Sequence, residues 1–246
     1  MSRLGWKAKL AAVLLISSML IFLAQYLVFN DLEEEAFLIL EALGLLPIEV
    51  LLVTLIIDNL LVRQERQQKL RKINMVTDAF FSEAGSDLLR LFLKFDRNSA
   101  IIRKKFNVTQ DWTEQDFAIA KSSLQGCEFD ACCHIGDLGE LKKFIVGKRD
   151  FLLRLLENPN LLEHESFTEM LRATFHMMDE LQGRKDLGAL SQADYEHLAK
   201  DVNRAYIALT EQWLDYMLHL KRDYPYLYSL ATRTNPFNEK ASAEIG

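Results

Sequence analysis

The chain has 246 residues, half of them hydrophobic, with 29 Lys and Arg against 35 Asp and Glu and a formal net charge of −6. Such a length allows one or two domains with a sizeable core, and three cysteines, Cys127, Cys132 and Cys133, are too few for a disulfide-framed secreted scaffold. The net charge averages a basic strip with an acidic remainder, so it selects no partner by itself and gives no ground to expect nucleic acid.

In chain order, Leu10 to Phe29 comes first, an uncharged run of 20 residues. It is long enough for a hydrocarbon core of roughly 30 Å. Arg3, Lys7 and Lys9 precede it and no small-residue cleavage site follows, so it reads as a retained span rather than a secretory signal. NDLEEE (30 to 35) has no basic residue, a second apolar segment runs from 36 to 62, and Arg63, Arg66, Lys69, Arg71 and Lys72 follow. The positive-inside rule then predicts a multi-pass protein of the inner membrane with both termini cytoplasmic. Cytoplasmic thiols stay reduced, so no structural disulfide is expected.

The second segment carries polar groups. If the turn centres at 32.5, Asp58 matches the depth of Lys7 at the cytoplasmic boundary. Glu49 matches Ile16 near mid-bilayer, where a carboxylate costs at least ~2.5 kcal/mol. Ser18 and Gln25 share one face of the first span and are placed to hydrogen-bond it. Pro47 offers another explanation: as the first turn of a helix it would put Glu49 at a helix N-terminus near the surface.

Beyond Val62 no strand pattern occurs, and Ile73, Val76, Phe80, Ala84, Leu88, Leu91 and Phe95 recur every three or four residues on one helical face. The lack of proline between Pro47 and Phe95 predicts one long helix. Three capping residues with an acid three positions on, Thr113 with Asp116, Asp137 with Glu140 and Ser191 with Asp194, announce further helices. Another fits Glu165 to Gln182, ended by Gly183, and Asn158 with Pro159 stops the one before it. The predicted fold is all-α: a two-helix transmembrane hairpin (1–62; spans 10–29 and 36–62), a stalk helix (63–96), a cytoplasmic helical bundle (97–237) and a disordered tail (238–246).

Chemical motifs are sparse. CEFDACCH (127 to 134) gathers Cys127, Cys132, Cys133 and His134, but it has neither a CxxC pair nor a second pair to complete a zinc site. Free cysteines buried in a helix explain it as well. Acid and histidine neighbours recur as His176 with Asp179 and Glu180, Asp194 with His197, and Asp215 with His219, without the paired ExxH of a di-iron bundle. No phosphate loop, GxGxxG turn, HExxH helix or GxSxG elbow is present. No catalytic residue and no cofactor are expected. The basic strip Arg63, Arg66, Lys69, Arg71 and Lys72 is expected to face membrane lipid. DYPYLYSLATRTNPF (223 to 237) is read as packing on the bundle, with partner docking as the other use of its aromatics.

The segments LPIEVLLVTLIIDNLL, KINMVTDAFFSEAGSDLLRLF, ENPNLLEHESFTEMLRATFHMMDEL and DYPYLYSLATRTNPF together resemble a family of uncharacterised bacterial and archaeal membrane proteins. The resemblance implies two spans and a helical cytoplasmic region, and it supplies no catalytic residue. The expected function is therefore that of a membrane-anchored regulatory, sensory or scaffold protein whose helical domain binds a cytoplasmic protein partner or a second copy. One alternative is redox or metal-binding activity at Cys127, Cys132, Cys133 and His134. The other is an oligomeric ion or proton pathway through Glu49.

Overall fold

The computed structural model describes residues 32–159, 161 and 164–244, with positions 16, 19, 20, 23, 24 and 27, and the backbone alone at some positions of the first helix. The chain divides into two units, Met1–Arg66 and Gln67–Gly246.

In the first unit, helix α1 (Leu32–Phe80, which continues into the second) begins after the first apolar run. Among the described residues no helix is long and apolar enough to cross a membrane. This corrects the expected hairpin of two spans, the multi-pass inner-membrane localisation and the orientation drawn from it. The physical reason lies along α1, where Glu33, Glu34, Glu35, Glu41, Glu49 and Asp58 recur and the helix passes directly into Arg63 to Lys72. Each such carboxylate at bilayer depth would cost at least ~2.5 kcal/mol unless neutralised. Most of Leu10 to Phe29, including Ser18 and Gln25, lies outside the described residues, as does Lys7.

In the second unit α1 ends in a single π turn, Phe81–Gly85, followed by α2 (Ser86–Leu93), α3 (Ser99–Phe106), α4 (Glu114–Ser122) and a 3₁₀ turn at Leu124–Gly126. Then come α5 (Leu138–Gly147), α6 (Arg149–Leu156), α7 (Glu165–Gly183), α8 (Gln192–Asp223) and α9 (Pro225–Arg233). The unit is all-α, with one isolated antiparallel bridge, Asp96 to Ala131, among the described residues.

The three predicted caps are in place. Thr113 Oγ1 accepts from Asp116 N while Asp116 Oδ2 accepts from Thr113 N at 2.6 Å, a complete capping box. Asp137 accepts from Glu140 N at 2.9 Å, and Ser191 from Asp194 N at 3.2 Å. Each satisfies an amide that the first helical turn leaves unpaired. Helix α7 uses His164 instead, whose Nδ1 accepts from Phe167 N at 3.2 Å.

Helices α7 and α8 form the spine. They run antiparallel, since Gln212 donates to Ser166 at one end and Glu180 faces His197 at the other. At 1.5 Å per residue α8 is about 48 Å long. Its buried stripe, Leu198, Val202, Ala205, Leu209, Trp213, Met217 and Leu220, recurs every three or four residues. Helices α2, α4 and α9 pack on α8, and α5 and α6 on α7. Phe80, Phe92, Phe106, Phe167 and Tyr206 fill the space between.

CEFDACCH departs from expectation, because residues 127 to 130 have no regular structure and the segment is held against α2's end instead of forming a helix. Cys132 N donates to Phe95 O at 2.7 Å and Arg97 N to Asp130 O at 3.1 Å. Buried Asp96 accepts from Asn98 N and Asp130 N through Oδ1. Gly136 lies so close to Phe95 that an added Cβ would fall 2.3 Å from its ring.

Candidate functional site

The predicted stripe from Ile73 to Phe95 meets an irregularity that no proline signals. At Phe81–Gly85 the helix holds one extra residue per turn, so Phe80 and Phe81, adjacent in sequence, are both buried. Ser86 satisfies the displaced carbonyl twice, since its backbone N–H and its Oγ both donate to Phe81 O, the latter at 3.0 Å. Gly85 is required for close approach: a Cβ there would stand 2.6 Å from the Phe81 ring and 2.7 Å from that of Phe80. Such insertions cluster at functional sites.

Beside this turn opens a cavity of about 580 Å³. Phe81, Trp213 and Tyr216 supply aromatic wall, Leu227 and Leu230 of α9 supply aliphatic wall, and Asp78, Ser82, Asp87 and Arg90 supply polar groups. Tyr216 stacks on Phe81 with centroids 4.7 Å apart. Arg90 is already occupied, donating to Asp87 Oδ1 at 2.6 Å and to Thr234 O at 2.6 Å. Asp78 keeps one oxygen without a partner: its Oδ1 is buried and makes no hydrogen bond.

Behind Asp78 stands His219. Its Nδ1 lies 2.7 Å from Asp223 Oδ2 and 2.9 Å from Asn74 Nδ2, and its Nε2 lies 3.8 Å from Asp78 Oδ2. Nδ1 thus serves Asp223 and Asn74, while Nε2 faces Asp78. Burial raises the Asp78 carboxyl above the usual aspartate range; nearby His219 opposes the rise and Asp223 adds to it. Burial, then Asp78, pushes the Tyr216 hydroxyl up to about 12. A large cavity with convergent polar groups and a perturbed acid is the default signature of a binding site.

No residue of this cavity stands out as a site in the sequence. The Asn74 and Asp78 spacing, i and i+4 on α1, and the His219 and Asp223 spacing on α8 are the signals that could have found it. The clustered aromatics of 223 to 237 are legible in the sequence, and the structure divides them. Tyr228 is buried, its hydroxyl donating to Thr109 O at 2.7 Å, and Phe237 packs on Trp213 at 5.0 Å. Tyr226, Leu227 and Leu230 stay exposed.

The predicted sites fare differently. The side chains of Glu49, Asp58, Arg66 and Lys69 lie outside the described set, while Arg63, Arg71 and Lys72 are exposed. Cys132, Cys133 and His134 line a recess of about 340 Å³, and Cys127 is not part of its wall. Arg97 donates to Cys132 Sγ at 3.0 Å, and His134 packs on Tyr195 at 4.0 Å between centroids. Burial, then Cys132 and Asp201, pushes the Cys133 thiol up to about 12, which keeps it protonated and unreactive at neutral pH. The metal-ligating side chains that converge among the described residues are His176, His197 and Asp201, on α7 and α8.

Residues 69–233 match the family described as "Uncharacterized protein MJ1433, C-terminal helical domain", and residues 2–61 match "MJ1433, N-terminal helical domain". The protein described as "Uncharacterized protein MJ1433" from Methanocaldococcus jannaschii is 41% identical over 232 residues, which cover 94% of this chain and 93% of that one. No solved structure matches. The expected kinship with an uncharacterised family that includes an archaeal member thus holds, while the two membrane spans implied with it have no support. By both matches the chain belongs to the MJ1433 family, whose members carry a helical N-terminal and a helical C-terminal domain.

Proposed function

We propose that this protein is a regulatory or sensory protein whose helical domain binds a small amphipathic amine in the cavity beside the π turn. The observation that supports this most is Asp78, a wall carboxylate with an unpartnered oxygen, set among aromatic faces in a cavity of about 580 Å³. Arg90 is matched by Asp87, so the charge left over at the wall is negative. An ammonium would give Asp78 Oδ1 the donor it lacks, at about 1.5–3 kcal/mol for a charge-assisted hydrogen bond. It would also gain about 0.5–2 kcal/mol over an aromatic face such as Tyr216. The ligand's apolar body would lie against Leu227 and Leu230.

Binding here is expected to act on shape rather than on a bond. Phe81 and Ser82 belong both to the cavity wall and to the π turn, so an occupant changes the balance between π and α geometry at the junction with α2. Tyr226, Leu227 and Leu230 on α9 offer a partner protein an exposed surface beside the same wall. The raised thiol of Cys133 counts against the Cys/His alternative, and the Glu49 side chain of the pathway alternative lies outside the described set.

The test is titration of the full chain with 2-phenylethylamine, followed by tryptophan fluorescence, with phenylacetate as the anionic counterpart. Saturable quenching by the amine alone, weakened at least tenfold by Asp78→Asn, is expected, because a charge-assisted hydrogen bond is worth at least the ~1.4 kcal/mol that a factor of ten requires. Equal response to phenylacetate, or an unchanged affinity in Asp78→Asn, would refute the proposal.

A further inference from the structure

We propose that His176, His197 and Asp201 form a binding site for one divalent transition-metal cation, separate from the cavity. His197 and Asp201 are four apart on α8 and share a face, and His176 reaches them from α7 across the antiparallel pair. His176 Nε2 lies 3.5 Å from Asp201 Oδ1, His197 Nε2 lies 3.3 Å from Asp201 Oδ2, and the three donor atoms all fall within 4.8 Å of one another. Two ligands on one ion at about 2.0–2.2 Å from it stand roughly 3–4.3 Å apart, so small side-chain rotations bring this group onto a common centre.

The second observation is the state of Asp201. Its side chain is only 3% exposed, in the middle of the buried stripe of α8. Arg204 Nη1 donates to Oδ1 at 3.2 Å, but Oδ2 is buried and accepts no hydrogen bond. A buried carboxylate oxygen left unsatisfied is costly, and an ion is one of the few things that explains it. Simple ion pairing serves less well, because two imidazoles and Arg204 would then crowd one carboxylate with no hydrogen bond from either ring. As metal ligands, both rings are oriented with Nε2 inward and about half of each side chain open to solvent.

Two nitrogens and one carboxylate oxygen suit zinc, iron(II), cobalt or manganese better than the all-oxygen shells of calcium or magnesium. The exposed side leaves positions for water or for a further donor. Glu180 is one such donor: its Oε2 lies 3.6 Å from His197 Nε2, held by Arg184 Nη1 at 2.7 Å. Arg184 also reaches Asp194 at 3.1 Å. Arg204 and Arg184 are thus positioning residues that hold the carboxylates around the site. The ion would clamp α7 to α8 next to their connection at Arg184 to Ser191.

The experiment uses tag-free full-length protein stripped with chelator, titrated with Zn²⁺ by calorimetry and with Co²⁺ by visible absorption. One Zn²⁺ per chain, Co²⁺ d–d bands without a thiolate charge-transfer band, and a metal-dependent rise in Tm are expected. His176→Gln and His197→Gln, at exposed positions where the fold should tolerate them, should each abolish stoichiometric uptake with the metal-free Tm unchanged. Arg204→Ala should weaken binding about tenfold. Asp78→Asn should leave uptake intact, so this proposal and the amine cavity can fail separately. No stoichiometric Zn²⁺ in the wild type, uptake that survives in the His176→Gln/His197→Gln double variant, or a thiolate band placing the metal on the cysteines would overturn it.

Discussion

Many described apolar side chains differ in burial between the two units. Up to Arg66, Val53, Ile56, Ile57, Leu60, Leu61 and Val62 are exposed, whereas beyond Gln67 Phe80, Leu88, Phe92, Phe106, Phe167 and Trp213 are fully buried. Val53, Ile56, Ile57, Leu60 and Leu61 keep the three-to-four spacing of one helical face, with Val62 opposite, so their exposure does not come from a wrong period. The second set sits on helices packed against one another, Phe92 on α2, Phe167 on α7 and Trp213 on α8. Spacing at the helical period marks a face; the helices packed against it bury it.

The largest predicted effects come from the buried set. Phe92→Ala and Phe167→Ala should each lower stability by about 3–5 kcal/mol in chemical denaturation of the full chain, given rings wholly enclosed by neighbours. Gly85→Ala comes next. Its added methyl must displace the Phe81 and Phe80 rings, at about 1–3 kcal/mol, and the amide resonances of Phe81 to Ser86 should move with it. Ser191→Ala removes an N-cap for about 1 kcal/mol.

Asp78 gives a subtler contrast. Its carboxyl is raised in the folded state, so the fold holds that proton more tightly than the unfolded chain does. The stability this confers is complete below the unfolded value of 3.8 and is lost as pH rises through the higher folded value. Asp78→Asn should therefore flatten the stability profile in the mildly acidic range above pH 3.8, measured by denaturation midpoints at successive pH values. Smallest of all, Ile57→Ala and Leu61→Ala should leave stability within about 0.5 kcal/mol of the wild type, because both side chains are already exposed. A large loss at either position would break the comparison between the units.

Much of the second unit is legible in the sequence because its signals are local. Thr113, Asp137 and Ser191 mark helix starts through hydrogen bonds made within three residues. The stripe of α8 announces its buried face in the same way, and Gln212, a buried polar residue beside it, donates to Ser166 at 3.1 Å. The candidate sites are legible only in fragments. Asp78 and His219 lie 141 positions apart in the numbering, and only the packing of α8 on the end of α1 brings them to 3.8 Å. Asp201 falls within the buried stripe of α8 between Leu198 and Ala205, and His176 that joins it comes from α7, 25 positions earlier. CEFDACCH draws attention by composition, yet its backbone pairs with Phe95 and Arg97, and Cys127 stays out of the recess that Cys132 and Cys133 line. The apolar run of α1 is long enough to suggest a span, but the charges within and after it count against that reading.

The central claim is that Asp78 and the π turn together form a binding site for an amine. Amide NMR of the full chain during titration with 2-phenylethylamine tests it most directly. Saturable shifts at Phe81 to Ser86 and at Tyr216, absent in Asp78→Asn, are expected. Shifts scattered away from the π turn, or identical in Asp78→Asn, would contradict it.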